Sequence, residues 1–191
     1  RAALRGGAAI VQYRDKSDDE HGRMGEATAL ARLCRESGAL FLVNDDPELA
    51  RRSGAHGVHV GRGDTDVLEA REILGADAMI GVSCYDSLDR ARIAAATGCD
   101  YVAFGSAFPS PTKPGAVHAP EHLFRSACEE LQVPVVAIGG ITPHNGAQLV
   151  AAGADMLAVV QGVFAAADIG QAARAYAALF DRDDDEHREH G

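Results

Sequence analysis

The stretch Gly98-Cys-Asp-Tyr-Val-Ala-Phe-Gly-Ser-Ala-Phe-Pro-Ser-Pro-Thr-Lys-Pro114 carries the pattern from which the fold is read. A glycine closes a helical segment, a short apolar run follows, and the run opens into a polar loop. Glycine in that place suits a helix C-terminal cap. The apolar run 101–104 is continuous rather than alternating, as in a parallel strand covered on both faces. Pro109, Pro111 and Pro114 stiffen the loop behind it. Ser110, Thr112 and Lys113 then offer two hydroxyls and a cation together, which suits an anionic, oxygen-rich ligand such as a diphosphate. A solvated proline-rich connector has the same composition, so the loop has to be weighed with the rest of the chain.

The unit recurs. Gly54-Ala-His56 and Gly153-Ala-Asp155 also end a helical pattern and feed an apolar run. Strands are expected at 9–12, 40–43, 57–60, 79–82, 101–104, 134–138 and 156–160. Helical patterns lie at 23–37, 47–53, 66–74, 86–97, 120–131, 143–152 and 168–180. Alternating strands and helices mean an α/β fold. No G-x-G-x-x-G follows the first run, so a dinucleotide crevice has no support. Polar residues follow every strand instead, and chemistry spread over all the strand ends is the habit of a TIM barrel. Such a barrel has eight strands, and seven are read here. Residues 1–4 read as the end of a helix before Gly6-Gly7. The barrel is therefore expected to lack its first strand in this sequence, which would make the sequence a fragment or an incomplete gene model.

A chain of 191 residues has one domain as its prior. It is set at 1–180, followed by an acidic tail at 181–191 with six acids against two arginines, expected to hang free. A chain of this size buries roughly 70% of its extended surface and needs no disulfide framework. Cys34, Cys84, Cys99 and Cys128 show no close pair and read as reduced core residues of a cytoplasmic protein. The net charge of −10 argues against nucleic acid as the main partner, and no run is long and apolar enough to enter a membrane. A homo-oligomer stays open.

The candidate chemistry lies behind the strands. Asp45 and Asp64 follow consecutive strands, so in a barrel two carboxylates can share one Mg²⁺, which is usually held by one or two carboxylates plus substrate phosphates. In Gln12-Tyr-Arg-Asp-Lys16, alternation sends Gln12 and Arg14 to one face. Arg14 then either grips a phosphate with its planar fork, with Lys16 adding a mobile charge, or joins a surface cluster with Asp15 and Asp18. Gly139-Gly140 leaves backbone amides open to a phosphate, and Thr142-Pro143 reads as an N-cap and first helical residue. His59 reads as a packed core histidine. No Ser/His/Asp or Cys/His constellation is evident.

The chain resembles the thiamine-phosphate synthase family over nearly its whole length apart from the tail. The resemblance rests on Val11-Gln-Tyr-Arg-Asp-Lys16, Val43-Asn-Asp45, Gly57-Val-His-Val-Gly61 with Asp64, Ile80-Gly-Val-Ser83, the 104–113 loop and Ala137-Ile-Gly-Gly-Ile-Thr142. It implies a TIM barrel joining a hydroxymethylpyrimidine diphosphate to a thiazole phosphate carboxylate, giving thiamine phosphate, pyrophosphate and carbon dioxide. It further implies that Gln12, Arg14, Lys16, Asn44, Ser83 and Lys113 hold the pyrimidine diphosphate. Asp45 and Asp64 would bind Mg²⁺. Ser110, Thr112, Gly140, Val160 and Gln161 would hold the thiazole phosphate. Lys113, Arg14 and Lys16 would be the catalytic cations, in a dissociative reaction that needs charge neutralisation and no strong base.

The chain departs from the family pattern in three residues as well as in the first strand. Asp46 stands where Arg is usual, adding an anion beside the expected diphosphate. Gln161 stands where Ser is common. Arg62 stands where Gln is common and offers a further phosphate contact. A thiazole tautomerase of the same superfamily is the nearest rival; it is expected to lack the Thr-Lys loop and to carry a His near Ser106 in sequence. A truncated, non-catalytic ligand-binding barrel is the rival of another class.

Overall fold

The computed structural model describes residues 1–109, 115 and 117–181. Its sheet has seven strands, all parallel and in chain order, β1 (Ile10–Tyr13), β2 (Leu40–Asn44), β3 (Gly57–Val60), β4 (Met79–Tyr85), β5 (Tyr101–Phe104), β6 (Val135–Ile138) and β7 (Met156–Ala158). Helices α1 (Ala2–Arg5), α2 (Glu20–Glu36), α3 (Pro47–Ser53), α4 (Val67–Leu74), α5 (Leu88–Ala96), α6 (Glu121–Glu130), α7 (Pro143–Ala151), α8 (Gln161–Phe164) and α9 (Ile169–Ala177) connect and cover the curled sheet, and a 3₁₀ turn follows at Ala178–Phe180. Among the described residues β1 and β7 each pair on one side only. On the outside α1 packs against α9, with Gly6 set closely against Gly170 and Ala173.

Two apolar clusters separate the two faces of the sheet. Phe41, Val43, Val58, Val60, Ile80, Val82, Val102, Phe104, Val135 and Ala137 face the helices and form the larger core. Leu42, Tyr101, Ala103 and Val136 point the other way, with Ile10, Met79, Ile138 and Met156 beside them, and fill the inside of the curl. Successive side chains alternate, so Gln12 shares the inner face with Ile10, and Asn44 shares it with Leu42. That face is apolar at the start of the strands and polar at their ends, which puts the candidate residues at one mouth.

The glycine-ended repeat has a structural reason. In each unit the third residue accepts a hydrogen bond from the backbone of a neighbouring strand: Phe41 N–H donates to His56 Nδ1 (2.9 Å), Ile80 N–H to Asp100 Oδ2 (2.7 Å) and Val135 N–H to Asp155 Oδ2 (2.8 Å). Each of these locks the start of one strand to the chain entering the next.

Several elements differ from the sequence expectation. Strand β4, expected at 79–82, runs on to Tyr85. The apolar run 156–160 is strand only to Ala158, and the chain then turns into the short helix α8. Helix α2 starts at Glu20, earlier than its apolar pattern, because Asp19 caps it by accepting from Gly22 N–H. Gly25 lies within this helix with open space around the position of a Cβ. Gly25→Ala is expected to stabilise the protein by about 0.5–1 kcal/mol, the helix-interior difference between the two residues, and urea unfolding would measure it. No helix among the described residues is long and apolar enough to cross a membrane. Cys34, Cys84 and Cys99 are buried free thiols and Cys128 is an exposed one. The tail from residue 182 lies outside the described residues.

Candidate active site

The ends of β2 and β3 bring the two expected carboxylates together. Asp45 takes the left-handed backbone conformation just past β2, with φ 65, which an aspartate tolerates better than most side chains. Its amide donates to the His59 carbonyl (2.8 Å), which fixes its place against β3. Asp64 reaches the same point from the other side by folding back on its own loop, where its Oδ2 accepts from Gly61 N–H (2.8 Å). The two carboxyls lie close enough to shift each other's titration, and Lys16 donates to Asp45 Oδ2. Burial works to raise the pKa of Asp45, but the Lys16 hydrogen bond, the Asp64 hydrogen bond and the charges of Lys16 and Arg14 outweigh it and hold the group below the ordinary carboxylate value. Burial, the Asp45 hydrogen bond and the Asp45 charge push Asp64 up. Of the two, Asp64 is the one that holds its proton to the higher pH.

Arg14 lies close enough to Asp45 to depress it, and among the described residues it forms no ion pair. Asp15, the rival partner, is taken up by Ser17, accepting from its amide (2.9 Å) and its hydroxyl (2.7 Å). Lys16 is held on Asp45 rather than mobile. The anion expected to trouble the site, Asp46, turns to the helix layer instead. It caps α3 by accepting from Leu49 N–H (2.9 Å), and Arg23 Nη2 donates to its other oxygen (2.8 Å).

The loop between Gly61 and Asp64 is clamped from β4 and α5. Arg90 Nε donates to the Ser83 carbonyl (2.8 Å) and its Nη2 to the Gly61 carbonyl (3.0 Å), so one guanidinium ties the ends of β3 and β4. Ser87 caps α5 and accepts from Arg90 N–H (3.2 Å). The Tyr85 hydroxyl accepts from Arg62 N–H (3.0 Å), and the Arg62 guanidinium lies 4.9 Å from the centre of the Tyr85 ring. The strand register shifts between Ser83 and Tyr85, and Tyr85 has φ 58. That irregularity aims the ring at the loop.

At the inner wall, His59 of β3 lies between two hydroxyls, with Tyr101 at Nδ1 and Ser83 at Nε2, both at 2.8 Å. The imidazole is 5% exposed. Burial lowers its pKa to about 4 against a small opposing pull from Asp45. Between about pH 6.5 and about 4 the unfolded chain binds a proton here that the folded chain refuses, so stability falls as pH falls through that window. Wild type is therefore expected to lose unfolding free energy relative to His59→Asn on acidification from pH 7 to about 4. Paired urea titrations at several pH values check this, and a constant difference would contradict it.

On the far side the two glycines meet the long loop. Ala107 N–H donates to the Ile138 carbonyl (2.8 Å) and Phe108 N–H to the Gly139 carbonyl (3.1 Å). A Cβ on Gly140 would stand 2.6 Å from the carbonyl oxygens of Phe108 and Pro109, so only glycine allows the approach. The loop is clasped again where it returns: Ser106 N–H donates to the Val117 carbonyl (2.7 Å) and Ala119 N–H to the Ser106 carbonyl (2.9 Å). Ser110, Thr112 and Lys113 lie outside the described residues. Thr142 and Pro143 open α7 as expected, with a full capping box through Asn145, whose side chain also donates to the Gly140 carbonyl (3.1 Å). Tyr176 of α9 donates to the Ile141 carbonyl (3.0 Å) and packs on Gly162. Tyr176 thereby links Ile141, which follows the Gly139–Gly140 turn, to Gly162 of α8, next in the chain to Val160 and Gln161.

A family model described as thiamine monophosphate synthase matches residues 1–163. The chain belongs to the thiamine monophosphate synthase family. Among curated members of this family of enzymes, it is 57% identical over 180 residues to a thiamine-phosphate synthase of Thioalkalivibrio sulfidiphilus, covering 94% of this chain and 85% of that one. It is 59% identical over 181 residues to a thiamine-phosphate synthase of Halorhodospira halophila, covering 95% and 87%. A solved thiamine phosphate pyrophosphorylase from Pyrococcus furiosus superposes with a TM-score of 0.86 at 34% identity, covering 93% of this chain and 85% of that one.

The sequence points to Asp45, Asp64 and Lys16, which the fold brings together, but it passes over Tyr101, Tyr85 and Arg90, and it reads His59 as packing alone. A polar residue of inward parity near the end of a strand was the available signal for His59. Nothing local marks Tyr85 or Arg90, whose roles depend on the register shift in β4.

Proposed function

We propose that this protein joins hydroxymethylpyrimidine diphosphate to a thiazole phosphate carboxylate, releasing pyrophosphate and carbon dioxide and leaving thiamine phosphate. The single observation that carries the reading is the cluster of Lys16, Arg14, Asp45 and Asp64 behind β1, β2 and β3, beside His59 of β3 and Ser83 of the next strand. Two neighbouring carboxylates beside Lys16 fit a hard divalent cation, which would relieve their mutual repulsion. Asp45 and Asp64 would hold Mg²⁺, and when bound it would neutralise charge on the leaving diphosphate. Gln12, Asn44 and Ser83 line the inner face toward the pyrimidine. Arg14, Lys16 and Lys113 meet the diphosphate as catalytic cations. Gly140, Val160 and Gln161, with Ser110 and Thr112, take the thiazole phosphate.

The bond between the pyrimidine methylene carbon and the diphosphate oxygen breaks, and the electron pair leaves with pyrophosphate. The thiazole nitrogen lone pair then forms the new carbon–nitrogen bond; the bond to the carboxylate breaks, carbon dioxide leaves, and the bonding pair stays with the thiazolium moiety, which takes up one proton from solvent. No residue needs to act as a strong base. The apolar floor of the curl, formed by Leu42, Ala103 and Val136, excludes water from the cation while it lasts. The one-sided pairing of β1 and β7 fits an eight-stranded barrel with its open position between them.

The tautomerase alternative draws on one contact. His118 is not near Ser106 in sequence, but the returning loop brings its Nδ1 to 3.2 Å from the Ser106 carbonyl oxygen. One assay separates the readings: pyrophosphate release from the two substrates, with and without Mg²⁺. Mg²⁺-dependent release supports the synthase. A protein that isomerises the thiazole and releases none is a tautomerase, and one that does neither is a binding barrel.

A further inference from the structure

We propose that Tyr101 and His59 are positioning residues that fix the Ser83 hydroxyl as a hydrogen-bond donor to the pyrimidine substrate. The inference rests on the reading above that Ser83 faces that substrate. Tyr101 belongs to β5 and His59 to β3, so the phenol must cross β4 to reach the imidazole. It crosses at Gly81, where any Cβ would fall inside the Tyr101 ring. The ring lies against the imidazole, with centroids 5.6 Å apart and planes 25° apart. Both side chains are buried, at 6% and 5% exposure, in the otherwise apolar inside of the curl.

The polarity of this chain of hydrogen bonds follows from counting protons. A neutral imidazole has one donor nitrogen and one acceptor nitrogen. The His59 ring is 5% exposed and among the described residues hydrogen-bonds only to hydroxyls, and a buried ring with no counter-ion bonded to it is neutral. Among the described residues the Tyr101 hydroxyl meets one polar partner, His59 Nδ1. A proton on Nδ1 would leave the phenolic hydrogen buried without an acceptor, at a cost of about 1–3 kcal/mol. Nδ1 therefore accepts from Tyr101, and Nε2 carries the proton and donates to Ser83 Oγ. With one lone pair so occupied and the imidazole on that side, the Ser83 hydrogen points away from His59, toward the mouth. The ligand atom opposite must be an acceptor. A pyrimidine ring nitrogen and a diphosphate oxygen both qualify; an amino group does not.

The test joins spectroscopy to a double-mutant cycle on the full chain. Nitrogen-15 histidine spectra of the wild type should show His59 protonated at Nε2 alone, and Tyr101→Phe should give a mixture of tautomers. Tyr101→Phe should raise the Michaelis constant for the pyrimidine diphosphate about three- to tenfold, the scale of one oriented hydrogen bond, with a smaller change in turnover. In a Ser83→Ala background the same substitution should change it less than about twofold, because Tyr101 acts through Ser83. Inhibition by inorganic pyrophosphate and by the free pyrimidine alcohol identifies the acceptor, since Tyr101→Phe weakens only the inhibitor that carries it. An Nδ1-protonated His59, or an undiminished Tyr101→Phe effect without Ser83, overturns the proposal. A wild type that releases no pyrophosphate overturns the substrate reading instead, while the nitrogen shifts still decide the relay.

Discussion

Asp45→Asn is expected to lower turnover by roughly 10²–10³-fold, the scale on which one preorganised charge-stabilising group is lost. The substitution isolates charge from shape. Asparagine tolerates the left-handed backbone that Asp45 adopts at φ 65, whereas alanine would strain it and confuse the result. What disappears is the centre of the cluster. Lys16 loses its carboxylate, Arg14 loses the charge it attends, and Asp64 loses the neighbour that raises its pKa. The pair proposed to hold Mg²⁺ is then one carboxylate short. Stability should hardly change, because Lys16 is half exposed and an exposed ion pair contributes little. The measurement is pyrophosphate release across a range of Mg²⁺ concentrations, with a thermal melt alongside. Asp64→Asn should match it, and the double variant should be no worse than either, as for groups acting together. A variant with wild-type turnover at every Mg²⁺ concentration would remove Asp45 from the site.

The sequence shows much of this arrangement where a local rule suffices and little where the answer depends on register. Continuous apolar runs mark parallel strands because both faces are covered, so all seven strands were legible, and glycine endings placed the entries to β3, β5 and β7. The same continuity hides which parity faces inward. Val58 and His59 are both buried, and only the pairing shows that His59 faces Tyr101 while Val58 joins the helix layer. Asp45 and Asp64 were legible because consecutive parallel strands must end side by side. The relay was not, since it depends on an absent side chain at Gly81 and a ring arriving from two strands away. The register shift in β4 is likewise invisible before pairing, so Tyr85 and Arg90 could not be placed. Asp46 shows the converse. A charge that reads as hostile to the site is spent on a helix cap and an arginine once the chain folds.

Gly57→Ala is expected to destabilise the protein by roughly 3 kcal/mol, the upper part of the range for forced overpacking. Gly57 begins β3, paired to Leu42 on one side and Met79 on the other. A Cβ there would stand 2.6 Å from the Met79 carbonyl carbon and 2.8 Å from its nitrogen, with the carbonyl oxygen closer still. All three are backbone atoms, so no rotamer change relieves the clash, and β3 must move away from β4. That movement opposes the first rung of their ladder and the neighbouring bond from Met79 N–H to the His56 carbonyl (2.9 Å). It also reaches the mouth, because β3 carries His59 two residues on and then feeds the clamped loop to Asp64. For a chain of this length a loss of that size lowers the melting temperature by roughly 6–12 °C. Gly25→Ala, which meets open space in α2, serves as the control and should raise it. In Gly57→Ala the nitrogen shifts of His59 should move as well, which separates displacement of β3 from a loss of stability elsewhere. A Gly57→Ala protein that melts with the wild type would mean that β3 and β4 do not approach as closely as the Met79 contacts require.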